Sequence, residues 1–487
     1  MLLAVTAIIL VNCSGSDKTA TVGQLDYLQG FIGGVAADEP RAALVARDIL
    51  SAGGSAADAV AAAALTYAVT YPGGGGLGGG GVCVVGTPNK RQAETIEFPA
   101  LAPQGGGPIA IPGMVRGLGL LQSRYGKLRW ESVVVPAEQI ARFGEGASRA
   151  FLRSVTDSDP ALAQDPALAE ILGGPGGSLP AEGTRRSQPK LATVLARLRS
   201  AGSADFYQGN LAQTLLGDMD RAGGKVTGAE LRAYAVTIGK PIQLAFENSV
   251  TLFTSSNPQG GAIAAWLAEQ GYDDGGLLNS SRFDQRKFAD NIGQAYRGLA
   301  TSAPLHGNGS SSIAVIDRTG QAVACAFTMD RPFGARLVGR ETGLLFAAPP
   351  GGADDESPYL TAMVGINTKI GQGYIAGAAT GGAPAAAALA QTVLQTTLAK
   401  QQKDPAPQAI RQPRLFHAGP QAPVLAEPGA PADALAALRQ RGLQVTDTTA
   451  LGRVNIAYCG EGLPRSPQSC SFAADPRGYG LSLGRQF

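Results

Sequence analysis

Three consecutive serines follow a glycine in Asn308-Gly309-Ser310-Ser311-Ser312, and the apolar stretch Ile313–Asp317 comes directly after them. A hydroxyl at the start of a buried strand, behind a Gly-containing loop, suits an N-terminal nucleophile. Cutting the chain between Gly309 and Ser310 puts a new α-amine on the residue that carries the hydroxyl. With a pKa of about 7.7–8.0, such an amine can take the hydroxyl proton without any His or Asp. This matters because the chain has only two histidines, His306 and His417. A His-rich metal site is excluded, and a His-based triad would have to use one of these two. His417 reads as a packed or surface residue, and His306 precedes the proposed cut. Spacing alone also fits a simple turn, since serine clusters are common there.

Two other patterns match by letter and fail on context. Gly76-Leu77-Gly78-Gly79-Gly80-Gly81 satisfies GxGxxG, but a dinucleotide fingerprint needs a strand before it and a helix after it. Here an Ala-rich helical segment precedes and a strand pattern follows. What remains is backbone packed too closely for any Cβ, or needing positive φ. Ser187-Gln188-Pro189-Lys190 fits SxxK, yet a Pro between the two polar groups opposes the helix that would align them.

The elements that would position the serines read as helices covering buried sheets. Residues 38–71 predict two Ala-rich helices split by Gly53-Gly54, with Ser55 or Asp58 capping the second. Residues 82–86 predict a strand, 131–144 and 187–237 helices, and 172–184 a polar surface loop. Residues 310–328 predict a hairpin of near-continuous apolar strands turning at Arg318-Thr319-Gly320. Residues 382–399 and 431–441 predict helices. Lys and Arg within 185–199 are expected on a solvated helix face rather than in a nucleic-acid patch.

Composition narrows the function classes. The chain has 487 residues, 40 Lys+Arg against 38 Asp+Glu, and a net charge of +2. That balance argues against nucleic acid as the main partner, because a phosphate-binding surface needs a basic excess. The five cysteines, Cys13, Cys83, Cys325, Cys459 and Cys470, match no zinc spacing. Leu2–Val11 is an apolar run of ten residues, too short to span a membrane, which takes about 20. It fits the core of an export signal, and Cys13 with the polar residues after it resembles a bacterial lipoprotein lipidation site. Residues 1–13 are therefore expected to export the chain to a periplasmic or membrane-anchored position. In that oxidising space Cys459 and Cys470 could close a short loop, while Cys83 and Cys325, in apolar runs, are expected to fill the core.

Ordered blocks over nearly the whole chain resemble the γ-glutamyltranspeptidase family. Residues 33–81, which include GGVAADEPRAALVARDILSAGGSAADAVAAAALTYAVTYP and the glycine run, look like its N-terminal signature. IPGMVRGLGLL, VVVPAEQIARFG and ADFYQGNLAQTLLGDM look like the blocks that follow. Ser310–Asp317 is similar to the family's catalytic strand, which normally opens Thr-Thr-His. PFGARLVGRETGLLF (332–346), GAATGGAPAAAALAQTVL (377–394) and QPRLFH (412–417) complete the series. The resemblance implies an α/β fold, the N-terminal-nucleophile αββα sandwich, made as a precursor and self-cleaved between Gly309 and Ser310. Residues 14–309 would form the large chain and 310–487 the small one. By position, Ser310 takes the place of the nucleophilic Thr. Thr328 matches the residue that positions it, and Gly381 and Gly382 match the pair whose N–H groups form the oxyanion hole.

The substrate anchors depart from the family's pattern. Its carboxylate-gripping Arg, in a Phe-Arg-Glu motif, is replaced where Phe98 is followed by Pro99-Ala100. A five-donor fork has become a residue without a side-chain donor. The family's Asn two residues beyond Thr328 is Asp330, which would repel a carboxylate. The Gln and Asp that hold the α-amine appear as Pro349 and Gly352. Of an adjacent Ser pair, only Thr361 remains, followed by Ala362. Charged hydrogen bonds contribute about 1.5–3 kcal/mol each, so several kcal/mol of glutamate recognition would be gone. The expected function is a self-processing amidohydrolase or acyltransferase acting on a γ-glutamyl or related small amide or peptide, without metal or organic cofactor. The alternatives are an exported scaffold that has lost catalysis, and an acylase for a non-glutamyl side chain.

Overall fold

A computed structural model describes residues 30–172, 178–246, 249–269, 307–352, 354–417 and 422–484. The expectations placed on residues 1–13, on Cys13 and on His306 lie outside the described residues.

Two antiparallel sheets face each other. The first has seven strands: β1 (Gly33–Ala37), β2 (Gly80–Thr87), β3 (Gln92–Phe98), β4 (Thr237–Gly239), β7 (Ser310–Asp317), β8 (Ala322–Thr328) and β13 (Leu481–Leu483). Their spatial order is β13-β1-β7-β8-β2-β3-β4. The second contains β5 (Ile242–Ala245), β6 (Val250–Thr254), β9 (Thr361–Asn367), β10 (Gln372–Thr380), β11 (Arg453–Leu463) and β12 (Cys470–Ala474), in the order β12-β11-β10-β9-β6-β5. Chain from both sides of Gly309–Ser310 enters each sheet, so neither part is a separate body.

Three apolar layers hold the sandwich. Val84, Ala314, Ile316 and Ala324 of the first sheet meet Phe253, Val364, Ala376 and Cys459 of the second. The outer face of the first sheet, through Ile313, Val315 and Val323, packs on helices Pro40–Ser51 and Ala56–Thr70. The outer face of the second, through Met363, Ile375 and Ile456, packs on Ala385–Leu398. The result is the expected αββα arrangement.

Helix Ala56–Thr70 is buried along its whole length. Its alanines and the lack of any polar face explain this: it is an inner helix that lets backbones approach closely. Ser55 and Asp58 both cap it, as a reciprocal capping box. The glycine run leads from this helix into β2, the reverse of a dinucleotide site.

Two side-chain expectations are corrected. Cys83 and Cys325 do more than fill the core: they stand opposite each other on β2 and β8 and form a disulfide. Two apolar flanks concealed a cross-strand register that no spacing rule exposes. Arg186 is not on a solvated face but buried, its guanidinium 3.6 Å from the Phe151 ring centroid. Lys190 does lie outside, paired with Glu170 at 2.7 Å, beside an exposed Ser187. Cys459 and Cys470 are bonded across β11 and β12. His417 is buried, and its Nε2 lies 3.0 Å from the Ala422 carbonyl oxygen.

Candidate active site

Strand alternation aims the serines. On β7, Ala314 and Ile316 face the second sheet while Ile313 and Val315 face the helices. With a side-chain period of two, Ser310 and Ser312 share the inter-sheet face and Ser311 turns to the helices. The contacts agree. Ser311 Oγ donates to the Gly74 carbonyl at 3.0 Å, and Ser312 Oγ lies 2.8 Å from Asn455 Nδ2 of β11. Ser310 Oγ donates to Oε2 of the buried Glu356.

Thr328 is the register partner of Ser310 on β8. Its Oγ1 donates to the Gly309 carbonyl oxygen at 2.9 Å, and the Met329 N–H donates to the same oxygen at 2.9 Å. The carbonyl just before Ser310 thus holds two donors, the arrangement that stabilises charge developing on an oxygen. Glu356 closes the other side: its Oε1 accepts the Gly309 N–H at 2.7 Å. Burial raises the Glu356 carboxyl above the usual range, while the Ser310 and Gly309 hydrogen bonds and the Arg453 guanidinium pull the other way.

A buried polar frame locks the start of β7. Asp38 Oδ2 accepts the Ser312 N–H at 2.8 Å, and Asp38 Oδ1 accepts from Asn455 Nδ2 at 2.7 Å. Tyr67 Oη donates to the Ser312 carbonyl at 2.8 Å. Arg453 Nη1 donates to Asn308 Oδ1 at 2.6 Å, and its Nη2 to the Ser310 carbonyl at 3.2 Å.

Gly381 and Gly382 follow the end of β10 with φ of 103° and 76°, conformations that favour glycine. Thr380, just before them, shares the Asp38 carboxylate with Ser312, its Oγ1 at 3.4 Å. A Cβ on Gly381 would sit 3.0 Å from the Gly452 Cα. The glycine pair therefore adjoins Arg453 at the same end of the sandwich as Ser310.

Asp330 and Thr361 are buried there too, and among the described residues neither Asp330 carboxylate oxygen nor Thr361 Oγ1 has a hydrogen-bond partner. The neighbouring Ser357 hydroxyl is committed to Asp355 at 2.7 Å. Burial, with added like charge from Asp355, holds the Asp330 carboxyl well above the ordinary range. The amide of Gln259 is likewise buried and unpartnered. Its turn adjoins Thr361, because Asn257 Nδ2 donates to the Leu360 carbonyl at 2.6 Å. Pro99 belongs to this end as well: a Cβ on Gly80, the partner of Thr328, would meet the Pro99 carbonyl carbon at 2.6 Å.

Sequence reasoning missed Glu356, Asp38, Arg453 and Gln259. Asp38 sits inside the N-terminal signature block, the one signal that could have found it. Glu356 lies in an unremarkable acidic run, Asp354-Asp355-Glu356. Among the described residues, no group of three or more His, Cys, Asp and Glu is placed to hold a metal ion.

The sequence model of the family described as gamma-glutamyltranspeptidase matches residues 42–272. That match takes in just under half of the chain, and over it the chain is similar to that family. It is 28% identical over 399 residues to a glutathione hydrolase proenzyme of Pseudomonas aeruginosa, a match covering 66% of this chain and 69% of that one. With glutathione hydrolase 2 of Arabidopsis thaliana the identity is 28% over 256 residues, covering 50% of this chain and 44% of the relative. The match to that relative thus spans less than half of its length. The crystal structure of a cephalosporin acylase from Bacillus halodurans superposes with a TM-score of 0.70 at 20% identity, covering 97% of this chain and 99% of that one. That likeness shows the fold, an αββα sandwich.

Proposed function

We propose that this γ-glutamyltranspeptidase relative is a self-processing amidohydrolase or acyltransferase with Ser310 as its nucleophile. The observation that carries the reading is the Gly309 carbonyl, held by Thr328 Oγ1 and the Met329 N–H beside a hydroxyl on the next residue. The Met329 N–H continues the β7–β8 ladder, whereas the Thr328 hydroxyl is a donor added to it, on the carbonyl that the Ser310 hydroxyl would attack. Cleavage between Gly309 and Ser310 frees the Ser310 amine, which then serves as base while the hydroxyl attacks an amide carbonyl. The Gly381 and Gly382 N–H groups would receive the oxyanion, and the acyl group passes to water or an amine. Two disulfides, Cys83–Cys325 and Cys459–Cys470, support an exported location; an anchor at Cys13 is part of the same proposal.

Reducing denaturing gels test the cut: two fragments are expected, the smaller beginning at Ser310 by N-terminal sequencing. Cys83 and Cys325 lie on opposite sides of that bond. Without reductant the same sample should therefore run as one band, and fragments that separate without reductant would contradict the tether. A single uncut chain under reducing conditions points instead to the scaffold reading.

The acyl group is the second part of the proposal. Pro99 replaces a guanidinium, and an unpartnered Asp330 with Thr361 and Gln259 lines the same end. With the guanidinium gone, a donor without an α-carboxylate is expected to be processed at least as fast as a γ-glutamyl donor, because the charged hydrogen bond that would favour the carboxylate is missing. Release of p-nitroaniline from paired acyl anilides, read as kcat/KM, checks this; a preference for the γ-glutamyl anilide would overturn it.

A further inference from the structure

The amine that would act as base in the mature site does not exist before the cut. In the continuous chain the Ser310 nitrogen is an amide, with no basic lone pair to take the hydroxyl proton. Self-cleavage therefore needs a second proton acceptor within reach of Ser310 Oγ. His306 lies outside the described residues, and His417 is occupied near the Ala422 carbonyl. Glu356 is in contact with both sides of the bond to be cut, through Ser310 Oγ and the Gly309 N–H.

We infer that Glu356 is the proton-transfer residue of self-cleavage, taking the Ser310 hydroxyl proton and returning it to the departing nitrogen. This rests on the reading of Ser310 as the nucleophile. As the carboxylate accepts the proton, Oγ bonds to the Gly309 carbonyl carbon, and the charge formed on the carbonyl oxygen is met by Thr328 Oγ1 and the Met329 N–H. The intermediate collapses with loss of the Gly309 C–Ser310 N bond, and the nitrogen takes the proton held by Glu356. An ester between Gly309 and Ser310 Oγ results, with a free amine on Ser310. Water hydrolyses that ester to a Gly309 carboxylate and the Ser310 hydroxyl, and the amine takes up the released proton. One water is added across one peptide bond, and no oxidant or reductant enters.

The groups facing Glu356 set its titration. Arg453 from β11 favours the carboxylate, while Asp355 on its own segment disfavours it, and the Asp330 carbonyl accepts the Glu356 N–H at 2.7 Å. The Tyr71 hydroxyl, from the first sheet's helical layer, also feels the Glu356 charge and is itself pushed up to about 12, mainly by burial. With burial the leading influence, the carboxylate form is reached above the ordinary glutamate range of about 4.3. Cleavage should accelerate as pH rises through that raised value.

The test uses the full chain from cell-free synthesis, with cleavage followed by reducing gels and intact mass between about pH 4 and 9. Glu356→Gln keeps the shape, and its amide oxygen can still accept the Gly309 N–H, but its NH2 can only donate to Ser310 Oγ, so the base is removed. It should slow cleavage by about 100-fold or more, the usual contribution of a positioned acid–base group, with a melting temperature close to wild type. Glu356→Asp should retain part of the rate, and the rise of rate with pH should be present in wild type and absent in Glu356→Gln. Cleavage of Glu356→Gln at the wild-type rate, or slowed cleavage that keeps the wild-type pH profile, overturns the inference and leaves Ser310 standing. A wild-type chain that stays whole overturns the nucleophile reading, and this inference with it.

Discussion

Ser310→Ala should give a single chain under reducing conditions and no detectable acyl transfer, a loss of at least about a thousandfold on both counts. The methyl side chain leaves Glu356 and the two donors on the Gly309 carbonyl in place but supplies no attacking atom. Neither adjacent serine can take over. Ser311 faces the helices and is bound to the Gly74 carbonyl, and Ser312 belongs to the Asp38–Asn455 frame. Ser311→Ala removes one ordinary hydrogen bond, worth about 1 kcal/mol, and should still be cut, within about tenfold of wild type. Ser310→Thr, which restores the residue usual in the family, should also be cut. Time courses on reducing gels separate these outcomes; efficient cleavage of Ser310→Ala would move the nucleophile elsewhere.

The architecture could be read from the chain where local signals and global packing agree. The Ala-rich segment with Ser55 and Asp58 predicted a helix with that cap, and the apolar hairpin after Gly309 predicted β7 and β8. Glycines in place of side chains between residues 73 and 81 predicted close backbone approach. Thr328, Gly381 and Gly382 lie in recognisable blocks, so their place near Ser310 could be expected for the same reason, while their roles belong to the proposal. Glu356 was not legible, because its role comes from a loop folding back 46 residues later onto the start of β7. Arg453 was hidden similarly, on a strand whose pairing with β10 brings it beside Gly381. Cys83 and Cys325, separated by 242 residues, are joined by strand register alone. Long-range pairing leaves no periodic trace in either partner, whereas helices and hairpins write theirs locally.

The glycine run bears on the chemistry through one peptide unit, and Gly79→Ala should expose this. A Cβ at Gly79 would lie 2.2 Å from the Thr328 carbonyl oxygen and 2.9 Å from Met329 Sδ. The Thr328 carbonyl and the Met329 N–H belong to the same planar peptide, and that N–H is one of the two donors on the Gly309 oxygen. Gly79 cannot retreat, because its own carbonyl accepts the Gly113 and Met114 N–H groups, each at 2.9 Å, at the start of helix Met114–Tyr125. The peptide between Thr328 and Met329 must therefore give way, tilting its donor off the scissile carbonyl. Loss of one such donor costs about 100- to 1,000-fold in related chemistry, and overpacking a close contact costs about 1–3 kcal/mol of stability. Gly79→Ala should thus slow self-cleavage at least about tenfold while lowering the melting temperature. Gly228→Ala, where a Cβ meets only Leu216 Cδ1 at 3.4 Å, should do neither. If Gly79→Ala melts lower yet is cut at the wild-type rate, the Met329 N–H is not a donor on which cleavage depends.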